Sequence, residues 1–151
     1  MKSQSRRSFL KTSLLGGASA IAIPNLLPAR VWAAEAKPSA RLTMGFIGMG
    51  TQNRGLLRGF LGQNTQVLAV CDVDTTRRED AKKIVDSHYG NSDCKAYNDF
   101  SDIIGRKDID AVCIATPDHW HAIPTLAALR SGKDVYCEKP LTHNIHEAIE
   151  V

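Results

Sequence analysis

Near the end of the 151-residue sequence, "DVYCEKPL" (134–141) sets Glu138, Lys139 and Pro140 where a short apolar run gives out. A lysine at the mouth of a buried strand exchanges protons with a hydroxyl or carbonyl once a ligand takes it out of water. Glu138 precedes it on the strand, so the two side chains should leave opposite faces, with Glu138 anchoring backbone or helix ends. One helix earlier, "ATPDHWHA" (115–122) gathers Thr116, Pro117, Asp118, His119, Trp120 and His121 into one loop. Pro117 stiffens that loop, and Asp118 is placed to cap the following helix. The histidines and Trp120 offer polar edges and a flat apolar face to a ligand.

A third constellation lies in "GFIGMGTQNRG" (45–55). Gly48 permits a tight strand-to-helix turn, and Gly50 lets backbone approach a pyrophosphate at the helix N-terminus. The third position of this glycine fingerprint is Asn53, so helix–sheet packing is expected to be looser there, or the turn to be shifted onto Gly55. Asp72 ends the next apolar run, roughly twenty residues beyond the glycines, where a carboxylate accepts hydrogen bonds from the adenosine ribose. It also repels a 2′-phosphate, which favours NAD over NADP; Arg77 and Arg78 close behind weaken that preference without reversing it.

These groups need a scaffold that collects them. "RLTMGFIG", "TQVLAVCD", "CKAY", "DIDAVCIAT" and "DVYCE" read as five strands, and the segments between them carry helical spacing, as in Leu56, Leu57, Phe60 and Leu61. Thr75 is a candidate N-cap and Gly90 a stop for the helix "TTRREDAKKIVDSHYG". "DFSDIIGR" and "HAIPTLAALRSGK" follow as helices, and "NIHEAIEV" begins another. Nearly continuous Val, Ile, Ala and Cys in the strands indicates burial on both faces. The expected fold is α/β: a Rossmann-type, doubly wound parallel sheet in the order 3-2-1-4-5. Its ligand crevice opens at the carboxyl ends of strands 1 and 4. Every motif above falls beside that crevice.

Charge and cysteine content narrow the function classes. Lys2, Arg6, Arg7, Lys11 and Arg30 precede the first acid, Glu35; setting these five aside from the 19 basic residues leaves 14 against 16 acidic. The basic excess is confined to the N-terminus, which argues against nucleic-acid binding. There "SRRSFLK" leads into an apolar stretch diluted by Gly, Ser and Pro, too interrupted to make a stable membrane span. Small-residue cleavage sites follow in "VWAAEA". Residues 1–36 therefore resemble a twin-arginine export signal, 37–40 a linker, and 41–151 the folded domain. The expected partner is the twin-arginine translocation machinery and the location periplasmic or secreted. Cys71, Cys94, Cys113 and Cys137 lack paired metal spacing and read as buried thiols. The histidines, including His143 and His146, form no ligand pattern, and no metal is expected.

"GFIGMG", "VCDVD", "ATPDHWHA" and "EKPLT", in that order, resemble the glucose–fructose oxidoreductase/inositol dehydrogenase (Gfo/Idh/MocA) family over residues 41–151. The resemblance implies an N-terminal Rossmann domain, bound NAD(P), and hydride exchange at a carbon of a sugar or polyol. It places Gly48 and Gly50 at the phosphate turn and Asp72 at the ribose. Thr116, Pro117 and His121 match the nicotinamide-side loop, and Glu138 and Lys139 the cofactor edge. Lys139, with His121, is implied for catalysis, and a cis Lys139–Pro140 bond is common in the family. Family members continue into a second α/β domain that forms the substrate wall. The chain is accordingly expected to be C-terminally truncated, lacking the last Rossmann strand, and the full-length protein to be a homo-oligomer. Three readings follow: an exported NAD(P)-dependent sugar or polyol oxidoreductase, an NAD-dependent glycoside hydrolase of the same fold, or a non-catalytic cofactor-binding fragment.

Overall fold

In the computed structural model, which describes residues 41–151, each apolar run becomes a strand and each amphipathic stretch a helix. β1 (Leu42–Ile47) leads into α1 (Thr51–Leu61), β2 (Thr65–Cys71) into α2 (Thr75–Tyr89), and β3 (Lys95–Tyr97) into α3 (Phe100–Ile104). β4 (Ala111–Ile114) is followed by a 3₁₀ turn (Asp118–Trp120) and α4 (Ala122–Arg130), then β5 (Asp134–Cys137) and α5 (Ile145–Glu150). The export signal read at 1–36 and the linker at 37–40 lie outside the described residues. Among those described, no helix is long and apolar enough to cross a membrane.

The sheet is parallel throughout, in the order β3-β2-β1-β4-β5. Side chains alternate across it: Met44 and Phe46 of β1 enter one core with Leu57 and Leu61 of α1 and Ala81 and Val85 of α2. Ile47, Ala69 and Val112 enter the other, with Ile103 of α3 and Ala128 of α4. Helices on both faces make the sheet doubly wound. A register shift between Met44 and Gly45 skips Leu68 on β2, so Leu68 and Ala69 both meet the second core. The two central strands end in fully buried runs, whereas edge strand β5 alternates between exposed and half-buried. Continuous apolarity thus reports burial on both faces for the inner strands and not for the edge.

Two local expectations need correction. Asp74, not Thr75, is the N-cap of α2: its carboxylate accepts from Arg77 N at 3.2 Å. Adjacent Asp and Thr are both competent caps, and sequence leaves the choice open by one residue. Gly90 does end α2, in the left-handed region at φ +67°. Asp118 caps nothing through its side chain. The chain turns through the 3₁₀ segment first, so α4 starts after His121, whose own backbone is already helical.

Candidate functional site

The crevice is built where β1 and β4 diverge from their helices. At the end of β1, Gly48 adopts φ +82°, a conformation L side chains rarely take. A Cβ there would stand 2.8 Å from Thr116 N and 2.9 Å from Thr116 Cα, so the turn presses directly on the loop after β4. Gly48 N donates to Cys71 O at 2.8 Å, tying the turn to β2 as well. Gly50 differs. Its backbone is extended at φ −65°, it is the N-cap of α1, and a Cβ would meet nothing within 4 Å. Protein packing therefore does not demand glycine at 50; the space it keeps open belongs to the cleft. With no side-chain cap and no acid in its first turn, α1 presents free N–H donors and its positive dipole end to an anion.

Asn53 overturns the expectation of loose packing. It is fully buried, and Nδ2 donates to Ile47 O (3.0 Å) and Gly48 O (2.9 Å). Its Oδ1 accepts from the Cys113 thiol at 3.2 Å. An amide thus fills the fingerprint's third position with hydrogen bonds. The shift onto Gly55 does not occur: Gly55 is exposed with open space around it.

Asp72 ends β2 almost buried, at 8% exposure. Its Oδ2 accepts from Met49 N (2.6 Å) and its Oδ1 from Asp74 N (2.8 Å). Each carboxylate oxygen keeps a second lone pair for a ligand hydroxyl. Of the two arginines behind it, Arg78 is committed to Asp72 O (2.7 Å), Asn98 Oδ1 and Thr75 Oγ1. Arg77 makes only a loose exposed contact with Asp74 and lines the cleft.

Gly48, Gly50, Asp72, Thr116 and Pro117 line one cleft of about 670 Å³. Its far wall holds Val73, Asn98, Asp99 and Phe100, which the motif reading passed over. The signal was available: in a 3-2-1-4-5 sheet the loop after β3 lies beside β2 at the same carboxyl edge. Trp120 packs edge-on to Phe100, ring centroids 6.4 Å apart, closing that end with aromatic surface.

The remaining predicted residues lie around the cleft. His121 points inward, 1% exposed, with Nε2 2.8 Å from Thr116 O and Nδ1 against Pro140 O. Both ring nitrogens lie against backbone carbonyls, so His121 sits between the cleft loop and the segment carrying Lys139. Glu138 N continues the β4 ladder at Ile114 O (2.9 Å). Its carboxylate accepts from Gln52 Nε2 (3.2 Å) and the Tyr136 hydroxyl (3.3 Å). The Gln52 amide, more than any other neighbour, holds the Glu138 carboxyl below its usual range. Glu138 anchors the rim to the first turn of α1, as its position on the strand suggested. Lys139 is exposed beyond this rim, and its bond to Pro140 is cis.

The four thiols are free, three of them buried. Burial above all pushes Cys71, Cys94 and Cys113 up to about 12, leaving them protonated and unreactive. Among the described residues, no three His, Cys, Asp or Glu side chains stand where they could hold a metal.

The cleft fits a dinucleotide: an uncapped helix start, a glycine whose missing Cβ leaves ligand space, and a carboxylate at the end of β2. Fold and crevice together define a dinucleotide-binding α/β domain. The chain belongs to the Gfo/Idh/MocA oxidoreductase family, whose NAD-binding Rossmann fold matches residues 42–151.

Among its relatives, a glycosyl hydrolase family 109 protein of Shewanella amazonensis is 30% identical over 94% of this chain and 34% of its own length. The inositol 2-dehydrogenase of Salmonella typhimurium is 35% identical over 66% of this chain and 29% of its own. The fold resembles that of scyllo-inositol dehydrogenase from Lactobacillus casei, solved with bound NAD(H) and scyllo-inositol, at a TM-score of 0.63 and 27% identity. That match covers 71% of this chain and 30% of the other. The chain thus spans about a third of the length of the relatives it matches. The family and its NAD(H)-bound neighbours support NAD as the cofactor.

Proposed function

We propose that the chain is the cofactor-binding part of an exported NAD-dependent oxidoreductase acting on a sugar or polyol. The observation that carries this reading is the position of His121. One buried ring sits between the loop lining the dinucleotide cleft and the segment bearing Lys139, so cofactor and lysine share one edge of the sheet. Bound NAD supplies the hydride acceptor. Gly48, Gly50 and the start of α1 would hold the pyrophosphate and Asp72 the ribose hydroxyls, while the Phe100–Trp120 pair closes one end of the cleft. Lys139 takes a proton from the reacting hydroxyl. Its exposure suits a group that meets the substrate rather than the cofactor. The "SRRSFLK" segment supports export by the twin-arginine route.

In the full-length protein, Lys139→Ala lowers turnover by about 10²–10⁴-fold while NAD affinity changes little. Loss of NAD binding with intact turnover per bound NAD would remove Lys139 from the chemistry.

A second reading, an NAD-dependent glycoside hydrolase, is favoured by one observation. The glycosyl hydrolase family 109 relatives align over 94% or more of this chain, against 66% for the inositol dehydrogenase. In that chemistry a sugar is oxidised transiently and the hydride returned, so Lys139 and the cleft serve unchanged. Release of free sugar from a glycoside, without net consumption of added NAD, separates it from a dehydrogenase.

A further inference from the structure

The peptide unit between Gly48 and Met49 is held at both ends. Its carbonyl, Gly48 O, accepts from Asn53 Nδ2 at 2.9 Å. Its amide, Met49 N, donates to Asp72 Oδ2 at 2.6 Å. Asn53 is itself immobilised: fully buried, it spends its second N–H on Ile47 O and its carbonyl on the Cys113 thiol of β4. All hydrogen-bonding directions of the amide but one acceptor lone pair are thereby used within a single knot of β1, α1 and β4.

Resting on the dinucleotide reading above, we infer that Asn53 is a positioning residue for cofactor binding. It sets the plane of the Gly48–Met49 peptide and so aims the backbone donors that follow at the pyrophosphate. A peptide unit rotates about its two flanking bonds, and Gly48, with no Cβ, restrains one of them weakly. A single anchor at Met49 N leaves the carbonyl free to swing; the second anchor removes that freedom before the ligand arrives. Preorganisation of this kind appears as affinity, because the ordering cost is met on folding rather than on binding. It also explains why an amide serves where the fingerprint calls for glycine. A small residue packs the helix against the sheet, whereas Asn53 reaches the same closeness through bonds and adds control of the turn.

The test separates phosphate binding from folding. Asn53→Ala orphans Gly48 O, which has no other partner among the hydrogen bonds of the described residues. Titrations with NAD and ADP should then weaken by about 10–100-fold, while adenosine, followed by ligand-observed NMR, changes by about twofold or less. A uniform loss for all three ligands would mark a merely structural role and overturn the inference, as would unchanged ADP affinity. Should Asn53→Ala fail to fold, the unaltered protein still decides. The Asn53 side-chain amide protons should exchange with solvent far more slowly than those of exposed Asn98, and equal rates would refute the brace. If the unaltered protein binds neither NAD nor ADP, the dinucleotide reading fails, and the exchange measurement judges the brace on its own.

Discussion

Gly48 and Gly50 occupy one turn, yet alanine at the two positions should fail in opposite ways. At Gly48 the backbone sits at φ +82°, which costs an L-residue about 1–2 kcal/mol. The new Cβ would also stand 2.8 Å from Thr116 N and 2.9 Å from Thr116 Cα. Both are backbone atoms and cannot rotate aside, so overpacking adds about 1–3 kcal/mol. Gly48→Ala should therefore lose about 2–5 kcal/mol of stability, enough to lower the melting temperature by at least about 10 °C in a domain of this size. At Gly50 the backbone is ordinary and a Cβ touches no protein atom. Alanine there should cost no more than about 1 kcal/mol through the weaker N-cap. Its methyl group instead enters the space where a phosphate approaches the helix start, and NAD affinity should fall at least about tenfold. Urea unfolding followed by circular dichroism reads the first effect, and calorimetric titration of NAD reads the second. A Gly48→Ala protein within about 0.5 kcal/mol of its parent, or a Gly50→Ala protein that binds NAD undiminished, would refute the division of labour.

Other expectations test the surroundings of the site. Buried Lys133 donates to Arg106 O (2.6 Å) and Ile109 O (2.8 Å); Lys133→Met strands both carbonyls and should cost about 1–3 kcal/mol in urea unfolding. A change near zero would show that water replaces the ammonium. Because the folded-state pKa of Glu138 is lowered, chiefly by Gln52, its brace should persist through the ordinary glutamate value near 4.5 and be lost only as pH falls further. A carboxyl-carbon NMR titration with a midpoint at or above 4.5 would contradict this. Replacing Arg6 and Arg7 with lysine should leave precursor in the cytoplasm, and normal processing of that variant would remove the twin-arginine assignment.

Much of the fold was legible because its signals are local. Apolar runs of strand length, separated by helical spacing, fix five parallel strands, and right-handed crossovers then leave few orders to choose from. The glycine turn, Asp72 and the Thr116–Pro117 loop were legible for the same reason: each lies immediately after a strand, and parallel strands bring their carboxyl ends to one edge. Asn98 and Phe100 obey the same rule, but no motif marks them, because lining a cleft requires only surface of suitable shape. The cap at Asp74 escaped because adjacent polar residues compete within one turn of chain, and the cap expected at Asp118 fails because a 3₁₀ turn intervenes before α4.

By itself the sequence determined the order of elements, the family, and the glycine turn, Asp72 and Thr116–Pro117 as residues of the crevice. Only tertiary structure decided what those side chains do there. His121 and Lys139 read alike as chemical groups, but one is sealed between two carbonyls and the other is exposed. Asn53 reads as a defect in a glycine pattern and becomes a three-bond brace, because its partners Ile47 O and Cys113 lie on different strands. Spacing along a chain sets which residues reach an edge. Which donor finds which acceptor depends on the packing of strands and helices distant in sequence, and that is settled only when both cores close.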